Sequence, residues 1–477
     1  MFKKLLRQNF IFIGFGIGIL LSFGLFFKTF SAYYFQDDWF SLEISRISNF
    51  IEFLNFLKPR PDIVYFRPLG MQIPFFLMQS LFGLNPLPFK ILTYLIHLLN
   101  GYVIYLILNK LFNNQKLSLY GVIIYLTSSI HLTVFYWSAT FAFILGPLFY
   151  FLGFYFYLLK KPKFTWLLFI LGLLTNEMII SLPVTILLWE TFYKKKITYN
   201  FIFGFLLLVI YFGWRMINVG LPFGGAYRLS SEILPVIKNF RNYVLWTLNW
   251  PEEIQNQFIS FLSLNRVFIK EFSGYILFFL VNSVFIIGIV ITTLVKYLFF
   301  NHNENKIIHI SLFGSLWFIV CLVPVLFFSN HAYAYYLPIP FFGILILILS
   351  SWQQLFKNTE SKKSYLIIAI FLSVWILSSW KNIIFNYDVH WAPRRAKIAK
   401  EIIGKLLVQY PTLPNNAAVV IFRNDENKWA LGDQNALKYL YWNQNIATFY
   451  GNSVEAQKFF TQNEKTTIYK ENIFLLK

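Results

Sequence analysis

Charge is scarce in this chain: 13% of its 477 residues are Asp, Glu, Lys or Arg, about half of what a soluble domain carries, roughly 25%. A soluble globular enzyme is excluded. A single cysteine, Cys321, lies inside an apolar run, so neither an intramolecular disulfide nor a cysteine metal site is available. Acidic residues are the scarcer sign, 21 against 41 basic ones, for a formal net charge of +20. The basic residues are spread along many short connections rather than clustered, so nothing marks a nucleic-acid surface. H-E-x-x-H, Walker A and G-x-S-x-G are all absent, which leaves zinc protease, nucleotide hydrolase and α/β-hydrolase readings without support.

What the chain has in quantity is apolar length: 57% of it is hydrophobic and 21% aromatic. A hydrocarbon core about 30 Å thick needs roughly 20 apolar residues per helix. Runs that meet this, some only when short or tilted, lie at 9–30, 88–110, 117–135, 140–159, 164–176, 178–193, 199–218, 273–298, 309–328, 335–352 and 365–385. The expectation is an all-α polytopic membrane protein with about 11 transmembrane helices. The first run follows Lys3, Lys4 and Arg7, but it is longer than a signal-peptide core and no A-x-A site follows, so it reads as a retained anchor.

Lysines recur in alternate connections: Lys110 and Lys116; Lys160, Lys161 and Lys163; Lys194, Lys195 and Lys196; Lys296 and Lys306; Lys357, Lys362 and Lys363. The short connections 131–140 and 329–334 have neither Lys nor Arg. The positive-inside rule then predicts a plasma-membrane protein with its N-terminus in the cytoplasm and three outward regions, 31–87, 219–272 and 386–477. In the last of these polar residues return. Arg394–Val408 has helical spacing, Ala417–Phe422 reads as a strand, Gln434–Tyr441 as a helix and Ile446–Tyr450 as a second strand, together a small C-terminal α/β domain after a transmembrane domain spanning 1–385.

Chemistry is expected first at Phe35-Gln36-Asp37-Asp38-Trp39, just beyond the first span. Adjacent carboxylates repel, which favours a raised pKa in one of them and suits a general base or a metal ligand. The plainer alternative is a helix N-cap, with Asp38 accepting from Ser41 N–H. Farther along the same region, Tyr65-Phe66-Arg67-Pro68-Leu69-Gly70 offers a guanidinium that either pairs with a phosphate or neutralises an acid. Thr175-Asn176-Glu177 and Asn330-His331-Ala332-Tyr333-Ala334-Tyr335-Tyr336 fall in two further outer turns, where Asn176, Glu177, His331 and Tyr335 are candidates to line a site beside Trp39. His97 and Asn100 lie within a span and read as packed helix-interface polars.

An acidic pair in a first outer loop, a later Tyr-Phe-Arg-Pro-Leu, then Gly83-Leu84-Asn85-Pro86 leading to His97-Leu98-Leu99-Asn100 resembles the multi-spanning GT-C glycosyltransferases. The nearer likeness is to the protein O-mannosyltransferase branch and to relatives that use polyprenyl-phosphate sugars. It covers residues 1–190 by motif and order and the rest by topology. The resemblance implies transfer of a sugar from a polyprenyl-phosphate donor to a protein, lipid or glycan acceptor at the outer face. It gives Asp37 or Asp38 the role of base on the acceptor hydroxyl, while the other orients the acceptor or holds a divalent cation such as Mg or Mn. Arg67 and His331 would bind the donor phosphate. Two departures stand out: Asn176 precedes Glu177 where relatives often place a cation, and Tyr333 occupies the position of an Arg. The rival readings are a transporter or flippase of lipid-linked or polar cargo, and a structural subunit whose tail binds a partner.

Overall fold

The computed structural model describes residues 2–476 except 61, 62, 64, 195–197, 221–226, 231, 301–304, 357–360, 416, 422–424, 444 and 452–472. Among the expected features, Lys195, Lys196 and Lys357 and the Phe422 end of the first tail strand lie outside the described residues.

Eight helices of the described residues are long and apolar enough to cross a membrane: Ile11–Ser31, Leu87–Phe112, Ser138–Leu158, Phe201–Asn218, Ser273–Val295, Ile307–Leu326, Pro338–Leu355 and Lys362–Val389. The chain is therefore an integral membrane protein, and these helices coincide with eight of the eleven expected runs. The other three are broken or short. The run at 117–135 forms Gln115–Leu126 and Ser129–Tyr136, bent by 43°. At the bend the Thr127 hydroxyl turns back to Ile123 O (2.7 Å), and the ring N–H of Trp375 donates to that hydroxyl (3.2 Å). The run at 164–176 closes into a helix of 12 residues, Pro162–Leu173, about 18 Å at 1.5 Å per residue and well short of the hydrocarbon core. The run at 178–193 splits into a 3₁₀ turn at Glu177–Ser181, a helix at Leu182–Trp189 and a π turn at Glu190–Lys194.

Burial sorts the helices. In their most apolar windows, 61% of Leu87–Phe112 and 78% of Pro338–Leu355 are buried against 11% of Phe201–Asn218. The first two form the centre of the bundle and the last faces outward at its edge. Aromatic rings supply much of the central packing, with Trp39, Trp246, Trp317, Trp352 and Trp375 all fully buried.

The tail begins with the helix Trp391–Gln409 and holds three parallel strands, β1 (Ala418–Ile421), β2 (Ala447–Tyr450) and β3 (Ile473–Leu476), in the order β2-β1-β3. The first two strands and the helix Asn435–Leu440 fall where the alternation predicts them. The third was not expected. The tail packs on the segment after the first long helix: the Arg46 guanidinium lies 3.6 Å from the Trp442 ring centre and 4.2 Å from that of Tyr439, and it donates to Tyr439 O.

Candidate functional site

The helix Asp37–Ile44 starts with its two acids in consecutive positions, which project about 100° apart around the axis. That rotation gives them opposite surroundings. Asp38 is fully buried; its Oδ1 accepts from Ala139 N (2.6 Å) and its Oδ2 from Phe35 N (3.1 Å). It therefore ties the turn before its own helix to the start of another long helix, and does not cap Ser41 N–H. Close by, Lys90 is buried, and its Nζ donates to Tyr136 O (2.5 Å) and Ser138 Oγ (2.9 Å). Burial raises the Asp38 pKa, opposed first by Lys90 and then by the two backbone N–H groups.

Asp37 is exposed, and among the described residues its carboxylate has no hydrogen-bond partner. It nevertheless sits in a hollow with protein on most sides. Desolvation pushes its pKa up to about 6, against the pull of the Arg395 guanidinium. Water can reach this carboxylate but solvates it poorly, as suits a group that accepts protons near neutral pH.

Two distant motifs meet beside the hollow. Leu69 N donates to Leu174 O (3.1 Å), and a Cβ at Gly70 would lie 2.4 Å from Thr175 O, so only glycine allows this approach. The join brings Arg67 to Glu177, Nε to Oε2 at 2.6 Å, with Arg215 Nη1 at 3.4 Å from Oε1 of the same carboxylate. Burial works to raise the Glu177 pKa, but Arg67 and then Arg215 hold it below the usual carboxylate range. The cation missing beside Glu177 in sequence is thus supplied twice from elsewhere in the chain, and two guanidiniums against one acid leave a net positive charge.

These three residues line a cavity of about 150 Å³ together with Tyr65, Asn176, Tyr211, Tyr227 and Tyr336, closed on its apolar side by Met178, Ile180, Phe212, Pro324, Val325 and Phe328. Asn176 Oδ1 accepts from Met178 N (2.8 Å), whereas its buried Nδ2 has no partner among the described residues. An unpaired donor, two guanidiniums and an apolar wall together suit an anion attached to a greasy chain. The phenols of Tyr65 and Tyr227, which line the cavity, each lie within electrostatic reach of both Asp37 and Arg67.

The remaining candidates are placed as follows. His331 lies in the wall of a separate polar groove of about 540 Å³, with Lys238, Arg241, Glu253, Tyr333 and Trp391. Its ring packs 4.3 Å from that of Tyr227, and its Nε2 is 3.1 Å from the Tyr335 hydroxyl. Burial and then the nearby Arg67 lower its pKa to about 4, so it is neutral at physiological pH. Tyr335 is buried behind Tyr333, their rings stacked at 5.1 Å, and it is Tyr336 that faces the cavity. Trp39 is fully buried, its ring N–H donating to Ala430 O (3.2 Å). Lys90, Arg215, Tyr227 and Arg395 belong to the assembly but were not singled out from the sequence. The one signal available for Lys90 and Arg215 was an isolated basic residue in an otherwise apolar run.

The donor set for a divalent cation is thin. Both oxygens of Asp38 are taken by backbone N–H groups, and among the described residues no three His, Cys, Asp or Glu side chains gather. Compared with known proteins, the chain matches no family model and no curated protein.

Proposed function

We propose that this integral membrane protein is a glycosyltransferase of the GT-C type, moving a sugar from a polyprenyl-phosphate donor to an acceptor hydroxyl at the outer face of the membrane. The observation that carries the reading is the pairing of an accessible carboxylate without a hydrogen bond, Asp37, with a cation-lined and partly apolar cavity whose Tyr65 and Tyr227 lie within electrostatic reach of it.

In this reading the lipid phosphate occupies the cavity, competing with Glu177 for Arg67 and Arg215, while Asn176 Nδ2 supplies a further donor. The prenyl chain leaves along Phe212, Val325 and Phe328 toward lipid, past the weakly buried Phe201–Asn218 helix. The acceptor hydroxyl gives its proton to Asp37 as its oxygen attacks the anomeric carbon. The bond from that carbon to the phosphate oxygen breaks, and its electron pair leaves on the phosphate, which the guanidiniums stabilise. The configuration at the anomeric carbon inverts. Asp38 serves by fixing the helix rather than by touching substrate.

The orientation belongs to the same proposal: N-terminus in the cytoplasm, residues 386–477 outside. A tag placed after Lys477 is expected to be open to protease in intact cells, and its protection would invert the topology and remove Asp37 from the outer face.

The decisive experiment follows release of polyprenyl phosphate from a panel of radiolabelled polyprenyl-phosphate sugars, with crude envelope as acceptor, by purified wild type beside Asp37→Asn. Transfer by wild type alone supports the proposal. Transbilayer movement of the donor without release would replace it with the flippase reading.

A further inference from the structure

Gln36, which leads into the Asp37 helix, has φ 53° and ψ −123°, a conformation that a residue with a side chain adopts only when its surroundings impose it. Those surroundings come from the tail of the chain. Gln36 N donates to Ala430 O (2.9 Å), and the Trp39 ring N–H donates to the same oxygen (3.2 Å). The Gln36 side-chain Oε1 accepts from Arg395 Nη1 (2.7 Å). Arg395 is itself fixed: its Nε donates to Glu426 Oε2 (3.1 Å), and its guanidinium lies 5.1 Å from the Trp391 ring centre and 5.2 Å from that of Trp429. The approach is too close for a side chain at Gly432, where φ is +57° and a Cβ would lie 2.5 Å from Gln36 O. With no hydrogen bond of its own among the described residues, the Asp37 carboxylate takes its position from this backbone.

We propose that the helix Trp391–Gln409 and residues 425–433 complete the site, with Arg395 acting through Gln36 as a positioning residue for Asp37. The part of this that concerns turnover rests on Asp37 being the base. The placement itself does not, and it is read separately. Among the described residues Arg395 is also the cation that acts on the Asp37 carboxylate; Asp38 on its own helix, and Tyr65, Tyr227 and Tyr333 from the packed elements, are the other ionisable groups facing it.

The test uses full-length protein in detergent and follows carbodiimide labelling of Asp37 against pH by mass spectrometry, alongside transfer. In Arg395→Gln the labelling midpoint is expected to rise by about one pH unit, because an opposite charge is removed, and transfer to fall about 100-fold, the effect of a misplaced group. Arg395→Lys should restore the midpoint but not the transfer, since one ammonium cannot reproduce the fork that holds Gln36 and Glu426 together. A merely structural Arg395 would lower thermal stability and leave the midpoint where it was; that result overturns the proposal. If Arg395→Gln does not fold, Gln36→Gly decides. It relieves the backbone and deletes the Arg395 contact, so it should keep its melting temperature and lose at least tenfold in transfer; full transfer would overturn the proposal. Should wild type transfer no sugar at all, the labelling midpoints still decide whether Arg395 acts on the Asp37 carboxylate, and the glycosyltransferase reading falls.

Discussion

Asp37 and Asp38 are neighbours in sequence with identical side chains, yet they head two regions of opposite character. Around Asp38 everything is closed: each of its two oxygens accepts a backbone N–H, Lys90 is buried beside it, and Lys90 in turn is held by Tyr136 O and Ser138. Around Asp37 and Arg67 the surroundings are open, with an unengaged carboxylate, a net positive cavity and an unpaired Asn176 amide. Groups whose hydrogen bonds are complete fix a structure, whereas groups held in place with bonding capacity left over are available to a ligand. A turn of one helix position separates the two roles.

Breaking the open side should cost activity alone. Asp37→Asn is expected to reduce transfer about 10³-fold, within the usual range for loss of a general base, with an unchanged melting temperature in detergent. The pH profile should carry the same signature. The base works only unprotonated, so with its pKa near 6 kcat/KM should fall about tenfold per unit as pH drops below that value, and the limb should vanish in Asp37→Asn. Breaking the closed side should cost the fold. Asp38→Leu strands a buried Lys90 and two backbone N–H groups, for a loss of about 3–5 kcal/mol, read as thermal stability and yield. The double variant Asp38→Leu, Lys90→Leu should recover much of that loss, because apolar residues replacing both partners leave no buried charge. If it recovers none, the two residues are not a pair.

A smaller effect is expected across the boundary. Arg67→Lys keeps the charge but loses the planar fork, and should raise the donor KM about tenfold, or ~1.4 kcal/mol, leaving stability close to wild type. Equal kinetics in the two proteins would remove Arg67 from the phosphate site.

How much of this could be read in advance depended on range. Periodicity and apolar length mark the long helices and two strands because those signals are local. The Asp pair and Arg67 stood out because charge in an apolar sequence is conspicuous. The breaks at 117–135 and 178–193 did not: composition there satisfies a span, and the Thr127 hydroxyl at the bend finds its donor in Trp375, 248 residues away. Nor did the division of labour between the acids, which needs Ala139 N, or the partners of Glu177, which come from 110 and 38 residues upstream and downstream. Arg395 falls in the stretch Arg394–Val408, where helical spacing alone does not set it apart from the cations around it. Each of these roles is created by convergence of remote segments, and no spacing rule along the chain encodes it.

The finest test of the contrast is within the closed cluster. Ser138 is buried, and its hydroxyl accepts one of the two hydrogen bonds from Lys90 Nζ. Ser138→Ala removes that acceptor while Tyr136 O and the charge of Asp38 remain, so the ammonium keeps most of its compensation. The loss should be about 1 kcal/mol, the ordinary net worth of a buried hydrogen bond, seen as a small drop in melting temperature. Transfer and the pH profile should not move, because Ser138 touches the group that fixes the helix and not the hollow that Asp37 faces. A shift of the acid limb in Ser138→Ala would mean that the two regions are electrostatically one, and that the orientation of Lys90 is felt at Asp37.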